Sequence, residues 1–176
     1  ARGISLSSVD MVKNWIFKNY QVTPPYNDHA KNIWTEMQDK LSDASSLDEF
    51  FRHYWNSKYA VASSTRLYKS IKKEQKKNRI ESAEDFLLEL RDAADTYRKI
   101  SAPRETDWNI QREKQVFHSL KLLNKYEVKL MRPFLIALLE CRRIHKRFIP
   151  QATLISTIKI VEDFHFIFAT IYRRAA

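Results

Sequence analysis

Glu162 and His165 stand three residues apart, the spacing at which a carboxylate and an imidazole meet on one helix face and can share a transition metal. Carboxylate-bridged di-iron bundles need two such pairs and two more glutamates on facing helices, and no second Glu-x-x-His occurs in the chain. The histidines, His29, His53, His118, His145 and His165, include no pair at i, i+4, so no zinc ligand set can be assembled. The lone cysteine, Cys141, lies in the apolar run FLIALLEC and reads as a small hydrophobe rather than a nucleophile. Arg52 and His53 invite a catalytic reading. However, Asp48 and Glu49 precede them by four residues each, the favourable acid-before-base orientation worth about 0.3 kcal/mol per pair. Both are expected on the flanks of a helix as structural partners. No catalytic residue and no metal site is expected.

The strongest charge feature runs from Arg66 to Arg79. Arg66, Lys69, Lys72, Lys73, Lys76, Lys77 and Arg79 face Glu74 alone. On a helix, residues 69, 72, 73 and 76 share a face, so several ammonium groups could follow one phosphate backbone. Lysines there would give salt-sensitive contact that reads no base edge. The competing reading is a solvated helix end, where the macrodipole favours cations. Arg142, Arg143, His145, Lys146 and Arg147 form a second basic cluster, also at an expected helix C-terminus, and the same two readings apply. Trp15, Trp34, Trp55 and Trp108 could stack on bases. The first three fall on apolar stripes and are expected in the core, while Trp108 sits beside Asp107 and Asn109 at an expected helix start.

These side chains must be positioned by helices. Gly3 is the only glycine in 176 residues, which argues against tight β-hairpins and excludes Gly-rich phosphate loops. The expected fold is all-α, an irregular bundle of about eight helices in a single domain over 1–176, with a possible subdomain break near 101–107. The first helix should run from Ser7 or Ser8 to Tyr20, burying Met11, Val12, Trp15, Ile16 and Tyr20. A second, after Pro24 and Pro25, should span Asn27 to Leu41 with Ala30, Ile33, Trp34, Met37 and Leu41 inward. Ser46 and Glu49 form a capping box for a third helix carrying Leu47, Phe50, Phe51, Tyr54 and Trp55. Leu67, Tyr68 and Ile71 anchor the fourth. Ser82 with Asp85 opens the fifth (Phe86, Leu87, Leu90, Ala94, Tyr97, Ile100), which Ser101-Ala102-Pro103 ends. The sixth is expected from Asp107 to Leu123 with Val116, Phe117, Leu120 and Leu123 inward, and Asn124 in a turn. Pro133 suits the first turn of the seventh, where Phe134, Leu135, Leu138 and Leu139 form a strong helical pattern. Pro150 should do the same for the last helix. That helix is apolar around so much of its circumference that it should be central or pack on a neighbouring domain.

Three strings carry a resemblance: ARGISLSSVDMVKNWIF at the start, LDEFFRHYW with the downstream RLYKSIKK, and KLMRPFLIALLE. Together they resemble the helical region of GmrSD-type restriction proteins, large bacterial phage-defence proteins that attack modified DNA. In that family a DGQQR-motif nucleotidase domain of ParB/sulfiredoxin-like fold is joined to an HNH-type nuclease. Leu47, Phe50, Phe51, Arg52, His53, Tyr54, Trp55, Leu67, Tyr68 and Pro133 occupy the matching signature positions. The chain contains neither a DGQQR string nor a His-Asn-His arrangement. The resemblance therefore implies a non-catalytic part of a nucleotide-dependent endonuclease, orienting its other domains. Any nucleoside triphosphate and divalent metal would belong to those domains, and no cofactor is expected in this segment. Partners would be those domains and DNA. A start at Ala1 without methionine suits an excised piece. The alternative is an autonomous basic module that binds nucleic-acid backbone, consistent with a formal charge of +10. No run of about 18 apolar residues is present, so no membrane span is expected and the cytoplasm is the expected location.

Overall fold

The structure is a computed structural model that describes residues 6–20, 27–42, 44, 46–59, 61–145 and 148–172. Among these, eight α-helices and short 3-10 turns make up the fold, and no strand occurs. The helices are α1 (Ser8–Asn19), α2 (Asn27–Leu41), α3 (Leu47–Lys58), α4 (Leu67–Lys76), α5 (Ala83–Ser101), α6 (Lys114–Lys125), α7 (Arg132–Ile144) and α8 (Gln151–Tyr172). The all-α expectation holds. Backbone packing divides the chain into two compact units, Ala1–Asp95 and Thr96–Ala176. The division falls inside α5 rather than in the connector at 101–107.

In the first unit, α1 begins with a full capping box: the Ser7 hydroxyl accepts from the Asp10 amide, and the Asp10 carboxylate accepts from the Ser7 amide. Its buried ridge is Val9, Val12 and Ile16, while Met11, Trp15 and Tyr20 are only half-buried. Helix α2 buries Ala30, Ile33, Trp34, Met37 and Leu41, as its 3.6-residue period requires. Helix α3 is capped by the Ser46 hydroxyl on the Glu49 amide and buries Phe50, Phe51, Tyr54 and Trp55. These rings form the core: Phe50 meets Phe51 edge-on at 5.4 Å between centroids, and Phe51 lies 5.8 Å from Trp34. His53 is also buried, a correction to its expected place on the helix flank. The aromatic groups at 50, 51, 54 and 55 sweep an arc of about 140°, and positions 53 and 52 lie about 60° beyond its two edges, yet His53 is covered whereas Arg52 is half-buried.

The second unit departs further from its sequence reading. The stretch after Pro103 is not yet α-helix. It forms 3-10 turns at Glu105–Trp108 and Gln111–Glu113, and α6 starts at Lys114. Asp107 explains the interruption. Its carboxylate takes both guanidinium N–H groups of Arg98 and the Arg104 amide at 2.8 Å, which folds the chain back onto α5. Trp108 follows it into the interior and is buried. Asn124 lies within α6 rather than in a turn. Its amide donates to the carbonyls of Ile100 and Leu120, and its oxygen accepts from Arg132. Arg132 also donates to the Tyr97 hydroxyl at 2.9 Å and stacks over that ring. This buried network explains why Arg132, just before Pro133, turns inward at the start of α7. Leu135 and Ile136 are buried in α7, Leu138 and Leu139 half-buried, and Phe134 exposed. Pro150 precedes α8, and its carbonyl accepts the first helical bond from Leu154.

Helix α8 is not central within its unit. Leu154, Ile158 and Val161 are buried, whereas Ile160, Phe164, Ile167 and Ile171 are 68, 62, 54 and 59% exposed, with Phe166 and Phe168 beside them. The burial therefore stops about halfway along the helix.

Two helices close through left-handed residues that are not glycine. At α4 the Asn78 amide bonds the Gln75 carbonyl and the Arg79 amide bonds that of Glu74; at α6 Glu127 and Val128 bond Asn124 and Leu123 in the same way. These are Schellman closures, and their left-handed residues are Asn78 and Glu127, each at φ 55°. A residue with a Cβ pays about 1–2 kcal/mol for that conformation, and Asn tolerates it better than Glu. Glu127→Gly, at an exposed site, should therefore stabilise the protein by about 0.5–1 kcal/mol, read as a higher urea midpoint with an unchanged slope.

Candidate nucleic-acid interface

Helix α4 shows how a mostly polar helix is held. Only Leu67, Ile71 and Glu74 are buried along it, one ridge at i, i+4 and i+7. Trp55 of α3 clamps the helix from the side by donating its indole N–H to the Ser70 hydroxyl at 3.0 Å. The remaining positions point outward, and most of them are cationic. Arg66, Lys69, Lys72, Lys73 and Lys76 are all exposed, as the shared face at 69, 72, 73 and 76 requires.

Lys77 and Arg79 behave differently. Both fold back onto Glu74, whose side chain is only 4% exposed, at 2.8 and 3.0 Å. The single carboxylate in the run is thus the buried member, and it engages two of the seven expected cations. The Lys77 hydrogen bond holds the Glu74 carboxyl below the usual carboxylate range. Burial opposes it, and the charges of Lys77 and Arg79 reinforce it. The free face therefore consists of Arg66 and four lysines.

Two grooves flank α4. One, of 910 Å³, runs between α4 and the segment Val61–Ser63 and is lined by Arg66, Lys69, Ser70 and Lys73. The other, of 550 Å³, lies between α1 and α4 and is lined by Met11, Trp15, Lys18 and Tyr68. Lys72 and Lys76 border both. A phosphate backbone in the first groove would meet a row of ammonium groups with little to read base identity. Tyr68, expected as an inward anchor, is half-buried, with the Lys72 ammonium 4.9 Å from its ring centre.

The second basic cluster belongs to the other unit, and its two arginines at the end of α7 are engaged. Arg142 donates to the Ile149 carbonyl at 2.8 Å and to Glu113 at 3.3 Å, and Arg143 pairs with Glu140 at 2.7 Å. These contacts tie the end of α7 to its surroundings. His145 is exposed against Phe148. Lys146 and Arg147 lie outside the described residues.

No group of three or more potential metal ligands occurs among the described residues. Glu162 is engaged by Ser119 and by Lys159, and Cys141 is half-buried. No described helix is long and apolar enough to cross a membrane. No protein-family model, curated protein or solved structure matches the chain.

The sign of the Glu74 effect sets a pH dependence. A carboxyl whose folded pKa is lowered stabilises the fold above its unfolded value, about 4.3, and loses that contribution as pH falls through the lowered folded value. Below about pH 4 the end of α4 should loosen first. Amide exchange of residues 76–80 should rise there in the native protein, and Glu74→Gln should flatten that dependence.

Proposed function

We propose that this chain is a non-catalytic helical module of a GmrSD-like, modification-dependent restriction protein of phage defence, joining and orienting a nucleotidase domain and an HNH-type nuclease domain. The observation that carries this reading is the outer half of α8. Ile160, Phe164, Ile167 and Ile171 follow a 4-3-4 spacing, the seam with which one helix meets another, and each is more than half exposed. Soluble surfaces seldom leave so many large apolar groups in one patch unless another surface covers them. The occupant proposed is a neighbouring domain of the same polypeptide, in line with the three matching strings and with their lack of catalytic motifs. Docked there, the module would pass rotation of one domain to the other through packed helices. Nucleotide and divalent metal chemistry would stay with the flanking domains.

Phe164→Asp tests this, because an exposed ring can be replaced without opening the core. In the parent protein, nucleotide-dependent DNA cleavage should fall at least tenfold while helicity and melting temperature stay unchanged. Cleavage that kept its full nucleotide dependence would refute the coupling role. Concentration-dependent dimerisation of the isolated chain, abolished by the same change, would reassign the seam to a second copy.

A second reading rests on the free cationic face of α4: an autonomous module binding nucleic-acid backbone. It predicts binding by the isolated 176 residues at about 50 mM salt, with a log-log salt slope that falls by about 0.7 for each phosphate-contacting lysine removed on single strands. Replacing Lys69, Lys72, Lys73 and Lys76 together by glutamine should abolish it. Retained affinity in that folded variant would exclude the reading.

A further inference from the structure

The groove between α1 and α4 differs in kind from the lysine-lined groove on the other side of the helix. It is lined by Trp15, Tyr68 and Met11 together with Lys18, Lys72 and Lys76, and with Leu6, Asn14, Asn19 and Gln75 beside them. Trp15 was expected in the core, yet it is only half-buried. Its ring is held edge-on against buried Phe86, at 6.0 Å between centroids and 68° between planes, so the indole is braced from behind while it borders the groove. Two aromatic side chains and three lysines lining one groove make a site for a flat, electron-rich ring attached to an anion. At 550 Å³ the groove falls within the range of small-molecule sites, about 300–1,000 Å³.

We infer that the Trp15–Tyr68 groove holds an unpaired base of single-stranded nucleic acid whose phosphates follow the lysines of α4. This rests on the backbone-binding reading of α4 and extends it from charge to stacking. The two grooves share Lys72 and Lys76. A strand passing Lys69 and Lys73 can therefore turn one base over the Lys72–Lys76 ridge and into the aromatic groove. Lys72, now above the Tyr68 ring, would move to a phosphate as the base takes its place. Every base has a π-face, so the site would favour unpaired bases over paired ones without choosing strongly among sequences. Duplex bases are stacked on one another and cannot enter.

The experiment compares three ten-nucleotide probes on the intact 176-residue chain at about 50 mM salt: oligothymidylate, an abasic strand of equal charge, and a duplex. The strand with bases should bind on the order of tenfold tighter than the abasic strand, and tighter than the duplex, with quenching of tryptophan emission. Trp15→Leu and Tyr68→Leu should each remove most of that advantage and leave abasic affinity unchanged; Trp15→Leu should also remove the quenching. Equal affinity for basic and abasic strands would overturn the stacking site while leaving backbone binding intact. A base preference that survives both substitutions in folded protein, or a duplex bound as tightly as the single strand, would overturn it too. Failure of all three probes to bind would overturn both the stacking site and the backbone reading beneath it.

Discussion

Three buried side chains on α4 decide where its charge goes. Leu67, Ile71 and Glu74 hold one edge of a ten-residue helix against the first unit, and everything else on the helix turns outward as a consequence. Two are ordinary hydrophobes. The third is a carboxylate, tolerated because Lys77 and Arg79 close over it and because an unpaired buried charge would be far more costly. The ridge thus partitions the cations of the run. Those before Glu74, together with Lys76, line the outward face, whereas Lys77 and Arg79, themselves exposed, are drawn onto Glu74.

The same economy appears in the second unit. Asp107 held by Arg98 and Arg104, and Asn124 shared by α5, α6 and Arg132, place polar groups where short connectors must be locked. In a chain whose one glycine is Gly3, helix ends and turns are shaped by such side chains and by left-handed Asn78 and Glu127.

Periodicity made much of this legible. The five buried residues of α2 and the inward face of α5 follow from apolar spacing, and the Ser46 and Ser82 caps from an acidic residue three positions on. What periodicity missed has a common cause. Arg132 and Asn124 are placed by partners on other helices, and local spacing carries no record of them. At Phe134 and the outer half of α8 the apolar pattern marks a face that can be covered, and spacing alone does not say what covers it. At the candidate site, the lysine face was readable from spacing. The capture of Lys77 and Arg79 was not, since it depends on Glu74 being the inward residue. Trp15 was read as core because its stripe is apolar, and its half-exposure follows from the groove left beside Tyr68.

The two populations of charge around Glu74 also differ in their response to electrolyte. Exposed ammonium groups are shielded over a Debye length of about 8 Å at physiological ionic strength, while direct contacts to a buried carboxylate, such as those of exposed Lys77 and Arg79 with Glu74, are shielded less. Raising the salt concentration would therefore mute the outward face of α4 long before it loosened the helix that displays it. The display of charge on α4 is thus tunable by ions alone, without the architecture changing.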